Sequence, residues 1–139
     1  MEKIIINTDG GSRGNPGKAA LGFTAQTGDG EVVQELGKYI GIATNNEAEY
    51  SAFLESLSWV ETYLESKKDI IVVWKLDSKL VVEQLNRRWK IKEPRLQEFA
   101  RKAWEILQKR LFAFEIEYVP REQNTRADQL VNEALDAVH

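Results

Sequence analysis

The sequence contains no cysteine, and its single histidine is the final residue, His139. Without cysteine the chain has no disulfide, no thiolate zinc site and no cysteine nucleophile. With one terminal histidine, neither a Ser-His-Asp triad nor a histidine-ligated metal site is expected. Any chemistry that this protein performs should therefore use carboxylates, lysines, hydroxyls or backbone groups.

A chain of 139 residues with 42% hydrophobic and 29% charged residues has the size and composition of one globular domain. Its formal charge of −3 argues against nucleic-acid binding by bulk charge but permits a local basic strip. Neither a signal peptide nor an apolar run of about 18 residues is evident. We expect a single domain over 1–139 that is cytoplasmic, monomeric, and free of membrane contact or an obligate protein partner.

The apolar periodicity predicts the element order βββαβααβα, which gives an α/β fold with a mixed sheet and helices packed on it. The first strands should form an antiparallel hairpin around Gly28–Gly30, and strands joined through helices should be parallel to the first. Residues 10–17 hold four glycines and Asn15-Pro16, and are interpreted as a loop. The expected strands are 3–8, 19–27, 31–40, 70–76 and 112–118, and the expected helices are 45–66, 78–86, one starting near Pro94, and 124–138.

Four acidic residues lie at the ends of predicted elements. Asp9 follows the first strand, Asp77 follows the apolar strand 70–76, and Glu49 and Asp128 lie in the first turns of two helices. The functional crevice of an open α/β sheet lies beyond the carboxyl ends of its parallel strands, so the four side chains can converge there. Each also has a structural alternative: a turn at Asp9-Gly10, a helix cap at Asp77, and capping boxes pairing Asn46 with Glu49 and Thr125 with Asp128.

Convergence of four carboxylates is electrostatically unfavourable on its own. At an effective dielectric near 20 and a separation of about 5 Å, each ionised pair costs roughly 3 kcal/mol before screening. Stability alone does not favour such a cluster. Hard divalent cations do, because Mg²⁺ and Mn²⁺ prefer oxygen ligands and Mg²⁺ is usually held by a few carboxylates with water and phosphate oxygens.

Four segments resemble, in order, spacing and element type, the successive motifs of type 1 ribonuclease H. They are Thr8–Gly17 (TDGGSRGNPG), Thr44–Tyr50 (TNNEAEY), Leu76–Ser78 (LDS) and Asn124–Asp128 (NTRAD). The first segment followed at this distance by the second is strongly specific, and the resemblance covers nearly the whole chain. It implies a ribonuclease H-like fold, a five-stranded mixed sheet whose first three strands are antiparallel, with helices on both faces.

The resemblance also implies an endonuclease that cuts the RNA strand of RNA/DNA hybrids and leaves 5′-phosphate and 3′-hydroxyl ends. In that family the carboxylates matching Asp9, Glu49, Asp77 and Asp128 hold two Mg²⁺ ions, for which Mn²⁺ is the expected substitute. One ion supplies a hydroxide-like nucleophile and the other stabilises the leaving 3′ oxygen. This chemistry requires no histidine.

Recognition of RNA against DNA depends on the 2′-hydroxyl. Small glycines let the backbone approach a strand closely. The resemblance implies that Gly10, Gly11, Ser12 and Glu49 face the 2′-hydroxyls, that Asn15 and Asn45 reach the minor groove, and that Thr44 grips a DNA phosphate. Two structural alternatives remain: Asn45 or Asn46 as a helix N-cap, and Gly14–Gly17 as a plain surface turn.

The chain departs from many family members in three places. A basic protrusion that grips the DNA strand is missing, and the densest basic segment is Asn86–Lys92, in which Arg88 and Lys90 are candidate phosphate contacts and Trp89 either packs on sugar or lies in the core. Arg121 stands where relatives often carry a mobile histidine that is thought to help product release. Lys79 replaces a glutamine and is expected to contact a phosphate.

Other functions fit parts of this pattern. They are a non-catalytic hybrid-binding module of the same fold, a nuclease that also acts on double-stranded RNA, a DNA nuclease of the wider ribonuclease-H-like group, and an α/β interaction domain whose acids are all caps. The presence of all four carboxylates argues against the first.

Overall fold

A computed structural model describes residues 2–64 and 69–138. Within these ranges the chain forms five strands and four α-helices. The strands are β1 (Glu2–Gly14), β2 (Gly17–Thr27), β3 (Val32–Ala43), β4 (Ile70–Leu76) and β5 (Ala113–Tyr118), and the helices are α1 (Asn45–Leu64), α2 (Lys79–Leu85), α3 (Pro94–Gln108) and α4 (Thr125–Asp136). A 3₁₀ turn, Arg121–Gln123, precedes α4. The predicted extension of α1 to Ser66 lies outside the described residues.

The sheet order is β3-β2-β1-β4-β5, with β1, β2 and β3 antiparallel and β4 and β5 parallel to β1. The predicted mixed sheet and its antiparallel first three strands are confirmed. The main core lies between the sheet and α1, with α3 completing it, and it is rich in aromatic side chains such as Phe53 and Trp74. A smaller cluster of Ala20, Val131 and Leu135 seals α4 against the sheet.

The prediction of a loop over residues 10–17 is wrong. Strands β1 and β2 remain paired to Gly14↔Gly17, so only Asn15 and Pro16 connect them, and the Asn15–Pro16 peptide bond is cis. Asp9 therefore does not end its strand. It lies at the point where the parallel partner β4 stops, since Thr8↔Leu76 is the last β1–β4 pair, while Asp9 still pairs with Gly22 of β2. Gly10 reflects close packing against α1, whereas Gly14 and Gly17 flank the two-residue turn.

Two glycines allow helices to approach the sheet near Asp9, where the pairing of β4 with β1 ends. A Cβ on Gly10 would lie 2.2 Å from the Ala48 carbonyl carbon of α1, and a Cβ on Gly22 would lie 2.6 Å from the Ala127 carbonyl oxygen of α4. Real Cβ atoms do not come so close, so only glycine permits either contact. Because Ala48 precedes Glu49 and Ala127 precedes Asp128, the two contacts place both acids beside Asp9.

No helix within 2–64 and 69–138 combines the length and apolar content needed to cross a membrane.

Candidate active site

Three of the four predicted acids form one cluster. Asp9, Glu49 and Asp77 each present an oxygen within 4.8 Å of the others'. Asp9 and Glu49 are each only 7% exposed, and Asp77 is half-buried. The cluster thus combines carboxylates from β1, α1 and the end of β4 in one largely water-excluded place.

The capping alternatives for these acids are wrong. Helix α1 is capped by Thr44 and Glu47: the Thr44 N–H donates to Glu47 Oε1 (2.8 Å), and the Glu47 N–H donates to Thr44 Oγ1 (3.1 Å). Glu49, two residues further on, is released from capping, and neither Asn45 nor Asn46 provides the cap. The reciprocal side-chain arrangement of a capping box requires this three-residue spacing, which Thr44 and Glu47 supply.

At the starts of α2 and α4, too, the acidic residue is not the residue that caps the helix. Ser78 caps α2 by accepting a hydrogen bond from the Val81 N–H (3.3 Å), so Asp77 has no capping role. At α4 the N-cap position is Asn124 and Thr125 is already helical, so the predicted Thr125–Asp128 capping box does not form. Neither Asp77 nor Asp128 therefore caps a helix.

Burial dominates the electrostatics of the cluster. It raises the pKa of Asp9 from 3.8 to about 7, and the negative charges of Asp77 and Asp128 act in the same direction. Burial and the charge of Asp9 also raise the pKa of Glu49 well above its usual range. The pKa of Asp77 is raised by burial as well, against hydrogen bonding that lowers it. Three neighbouring carboxyls that resist ionisation form a site suited to a compensating positive charge.

Glu49 gives the strongest local indication of a ligand-binding site. Its Oε2 atom is buried and has no hydrogen-bond partner within the described parts of the chain. A buried acceptor without a partner costs free energy, and such atoms are uncommon in folded proteins. An all-oxygen donor set with an unpartnered buried oxygen fits a hard divalent cation such as Mg²⁺ or Mn²⁺.

Asp128 stands at the edge of this cluster. It lines the same cavity, of about 420 Å³, as the other three acids, but it does not join their 4.8 Å group, and its side chain is about a third exposed. Arg121, also in the cavity wall, places Nη2 3.7 Å from Asp128 Oδ1 and is itself largely exposed. The structure thus brings Arg121 and Asp128, each predicted separately as a site residue, to the mouth of the site.

The predicted hybrid-contacting residues divide into two groups. Gly10, Gly11, Ser12 and Asn45 line the cavity. Asn45 Oδ1 accepts hydrogen bonds from Ser12 N (2.9 Å) and Ser12 Oγ (3.2 Å), and Asn15 Oδ1 accepts one from the Asn45 N–H (3.0 Å). Thr44, Lys79, Arg88 and Lys90 do not line it.

The basic segment forms a second recess, of about 500 Å³, at the C-terminal end of α2. Arg88 makes a two-pronged ion pair with Glu83 (2.7 and 2.9 Å), and the Arg87 guanidinium stacks 3.9 Å from the Trp104 ring centroid. Lys90 is exposed beside them. Trp89 is 45% exposed, so the alternative that placed it in the core is wrong.

Sequence reasoning missed Asn124. Its side chain is 1% exposed, its Nδ2 donates to the Thr8 carbonyl (2.8 Å), and its Oδ1 accepts from Asn7 (3.1 Å). Its backbone carbonyl accepts the Asp128 N–H (3.1 Å). Asn124 thereby joins β1, next to Asp9, to the first turn of α4. Only its inclusion in the last motif marked it, because a buried tertiary hydrogen bond leaves no periodic signal.

Comparison with known proteins agrees with this geometry. A family model described as "Reverse transcriptase-like" matches residues 7–134. The chain is 41% identical over 97% of its length to the bifunctional protein Rv2228c of Mycobacterium tuberculosis and 44% identical over 92% to ribonuclease HI of Halobacterium salinarum. It spans 36% and 62% of those two proteins.

Among solved structures, LC11-RNase H1 in complex with an RNA/DNA hybrid superposes with a TM-score of 0.92. The two chains are 41% identical, and the match covers 96% of each. Identity at this level over nearly the full length of both chains establishes more than a shared fold. The chain belongs to the type 1 ribonuclease H family of hydrolases, in its compact form without a basic protrusion.

Proposed function

We propose that this chain is a metal-dependent endonuclease that hydrolyses the RNA strand of RNA/DNA hybrids. The observation that carries the proposal is the cluster of Asp9, Glu49 and Asp77, in which a buried Glu49 oxygen has no hydrogen-bond partner among residues 2–64 and 69–138. The hybrid-bound relative LC11-RNase H1 supports the choice of substrate. Residues 1–139 act as a single catalytic domain.

Asp9, Glu49 and Asp77, with Asp128 at the rim, are the residues that would hold two divalent cations, Mg²⁺ or Mn²⁺ as a substitute. When bound, the ions lower the pKa of the attacking water and stabilise the charge that develops on the leaving 3′ oxygen. The protein contributes fixed carboxylates on rigid elements and a poorly hydrated pocket, so little reorganisation is needed during reaction. Products carry 5′-phosphate and 3′-hydroxyl ends.

Substrate recognition uses the hairpin of β1 and β2 together with the first turn of α1. The backbone at Gly10–Ser12 and the Glu49 side chain face the 2′-hydroxyls, which distinguish RNA from DNA. Ser12 occupies Asn45 Oδ1, and Asn15 accepts the Asn45 backbone N–H. The side-chain nitrogen, Asn45 Nδ2, is the group that donates to an acceptor in the minor groove. Asn15 supports Asn45 from the hairpin turn, and Thr44 contacts a DNA phosphate.

The second recess supplies the cations that replace the missing protrusion. Arg88 is paired with Glu83, so Lys90 is the freer phosphate contact within this recess, and exposed Trp89 packs on a sugar. Lys79, at the start of α2 and outside the recess, is a further phosphate contact. Hybrid affinity should then be weaker than in protrusion-bearing relatives and fall steeply with salt, since each phosphate contact releases counterions. An affinity that does not change between 50 and 200 mM salt contradicts this assignment.

The direct test is cleavage of labelled RNA/DNA hybrid, DNA duplex and RNA duplex, each with Mg²⁺, with Mn²⁺ and with chelator. Cleavage of the hybrid alone, and only with metal, supports the proposal. Additional cleavage of RNA duplex would widen the substrate range. Hybrid binding without cleavage in any metal would identify a non-catalytic binding module instead.

The assembly and location follow from the same proposal. A domain that carries all four carboxylates and its own hybrid-contacting residues needs no second chain, so it acts as a monomer in the cytoplasm with no obligate partner. Sedimentation at micromolar concentration should give a mass near 15.9 kDa. A stable dimer would contradict the assigned monomer.

A further inference from the structure

Helices α1 and α3 are joined at their N-terminal ends by a charged contact. Arg95, the second residue of α3, donates from Nε to Glu47 Oε2 (3.3 Å) and from Nη1 to Glu98 Oε2 (3.2 Å). Its guanidinium lies 4.6 Å from the centroid of the Phe99 ring. Phe99 in turn stacks on Tyr50 of α1, with centroids 6.1 Å apart. Arg95 is therefore held in place on two sides.

Glu47 connects this contact to the start of α1. Its Oε1 accepts the Thr44 N–H while its Oε2 receives Arg95, so each carboxylate oxygen has one partner from a different element. The Glu47 N–H also donates to Thr44 Oγ1. Fixing the Glu47 side chain with Arg95 thus fixes the junction between β3 and α1.

The junction carries the substrate-facing groups of the proposed function. Asn45 follows Thr44 directly and bonds to both Ser12 and Asn15 of the hairpin, and Glu49 lies one turn later. The Asn45 contacts with the hairpin are solvent-exposed hydrogen bonds, which by themselves give little rigidity. The Arg95–Glu47 contact links the same turn of α1 to α3.

We propose that Arg95, acting through Glu47, is a positioning residue that keeps the first turn of α1 in register with the β1–β2 hairpin and thereby sets affinity for the hybrid. The proposal rests on the proposed function for its substrate. Arg95 lies outside the carboxylate cavity, so it acts on substrate binding rather than on the chemical step. An exposed ion pair contributes little to global stability, which makes the effect separable from unfolding.

The experiment compares Arg95→Ala with Arg101→Ala. Arg101 is a matched control because it lies on the same helix, is similarly exposed, and forms its ion pair with Glu105 of that helix (3.3 Å). Arg95→Ala should raise KM for the hybrid about three- to fivefold, the range an exposed ion pair allows, and change kcat less than about twofold. Arg101→Ala should leave both constants unchanged.

Amide hydrogen exchange gives a readout that does not depend on activity. The Glu47 and Ala48 amides, which bond to Thr44, should exchange about threefold faster in Arg95→Ala than in wild type, with no change in Arg101→Ala. Absence of cleavage by the wild type would refute the proposed function, while the exchange result would still decide the positioning of the turn. Exchange equal in the two variants overturns the proposal.

A double-mutant cycle separates positioning from direct contact with the hybrid. Glu47→Gln keeps an acceptor for the Thr44 N–H but removes the charge that Arg95 requires, so it should raise KM about as much as Arg95→Ala. The double variant should be no worse than the poorer single one. If Glu47→Gln lowers KM, Arg95 binds the hybrid directly, and the positioning role is wrong.

Discussion

Helix α1 contributes to two regions that differ in whether their buried polar atoms have hydrogen-bond partners. In the core, Trp74 Nε1 donates to Ser56 Oγ (2.9 Å), which donates to the Phe53 carbonyl (2.7 Å), and the Phe53 and Trp74 rings lie 5.0 Å apart. At the N-terminal end of the same helix, Glu49 Oε2 is also buried but has no hydrogen-bond partner in the part of the chain that the structure describes.

The contrast shows where stability and function separate along one element. Around Ser56 and Trp74 the buried polar atoms of the core have hydrogen-bond partners, as in stable interiors. The carboxylate cluster instead keeps mutually repelling groups out of water, which destabilises the metal-free protein. Protonation or a ligand of opposite charge relieves this penalty, so the cluster is arranged for binding at the expense of apo stability.

Among the variants that test this comparison, Asp9→Asn should have the largest effect. We expect hybrid cleavage to fall by about 10³-fold or more, because the variant removes a carboxylate that no other residue replaces. Asp69→Asn is the matched control, since Asp69 is exposed and remote from the cluster. Single-turnover cleavage rates in Mg²⁺ compare the two, and retained activity in Asp9→Asn would exclude a catalytic role for Asp9.

The pH dependence of stability tests the electrostatic half of the contrast. The pKa of Asp9 rises from 3.8 in the unfolded chain to about 7 when folded, so the native state binds more protons between these values. In chelator, wild-type stability relative to Asp9→Asn should therefore decline as pH rises from about 4 to 7 and then level off. Urea unfolding at several pH values measures this difference, and a wild type that gains on the variant over the same range would contradict the account.

Removing one partner in the core should destabilise without affecting chemistry. Ser56→Ala leaves the Trp74 N–H buried without an acceptor, which costs about 1–3 kcal/mol in the free energy of unfolding. Cleavage per folded molecule should stay at the wild-type level. A variant with unchanged stability would show that this hydrogen bond contributes nothing net.

The smallest expected effect concerns Arg121. Because its guanidinium is largely exposed and 3.7 Å from Asp128, Arg121→Ala should lower multiple-turnover kcat by about two- to fivefold. Single-turnover cleavage should change less, if Arg121 assists product release. Unchanged turnover would remove Arg121 from the mechanism.

Sequence alone located the acids because apolar runs end abruptly at them. The run 70–76 stops at Asp77, and helical periodicity resumes around Glu49 and Asp128, so their positions at element ends were predictable. The position of Asp9 was less predictable. Its strand continues past it, and the place where β4 stops pairing with β1 depends on the register of the strands.

Features that depend on tertiary contacts escaped prediction. The glycines at 10 and 22 admit helix backbones, which turn propensity cannot reveal. Two capping boxes two residues apart, Thr44 with Glu47 and Asn46 with Glu49, look equally plausible in sequence, and Arg95 from a distant helix pairs with the box that forms. Asn124 was recognisable only as part of a motif, because its partners lie 116 and 117 residues away.

The most direct test of the central claim is calorimetric titration of the metal-free protein with Mn²⁺ near pH 8, above the pKa of Asp9. The account predicts binding to the wild type and to Asp69→Asn, and an affinity reduced at least about tenfold in Asp9→Asn through loss of one charged ligand. Equal Mn²⁺ affinity in wild type and Asp9→Asn would show that the three carboxylates do not form the metal site.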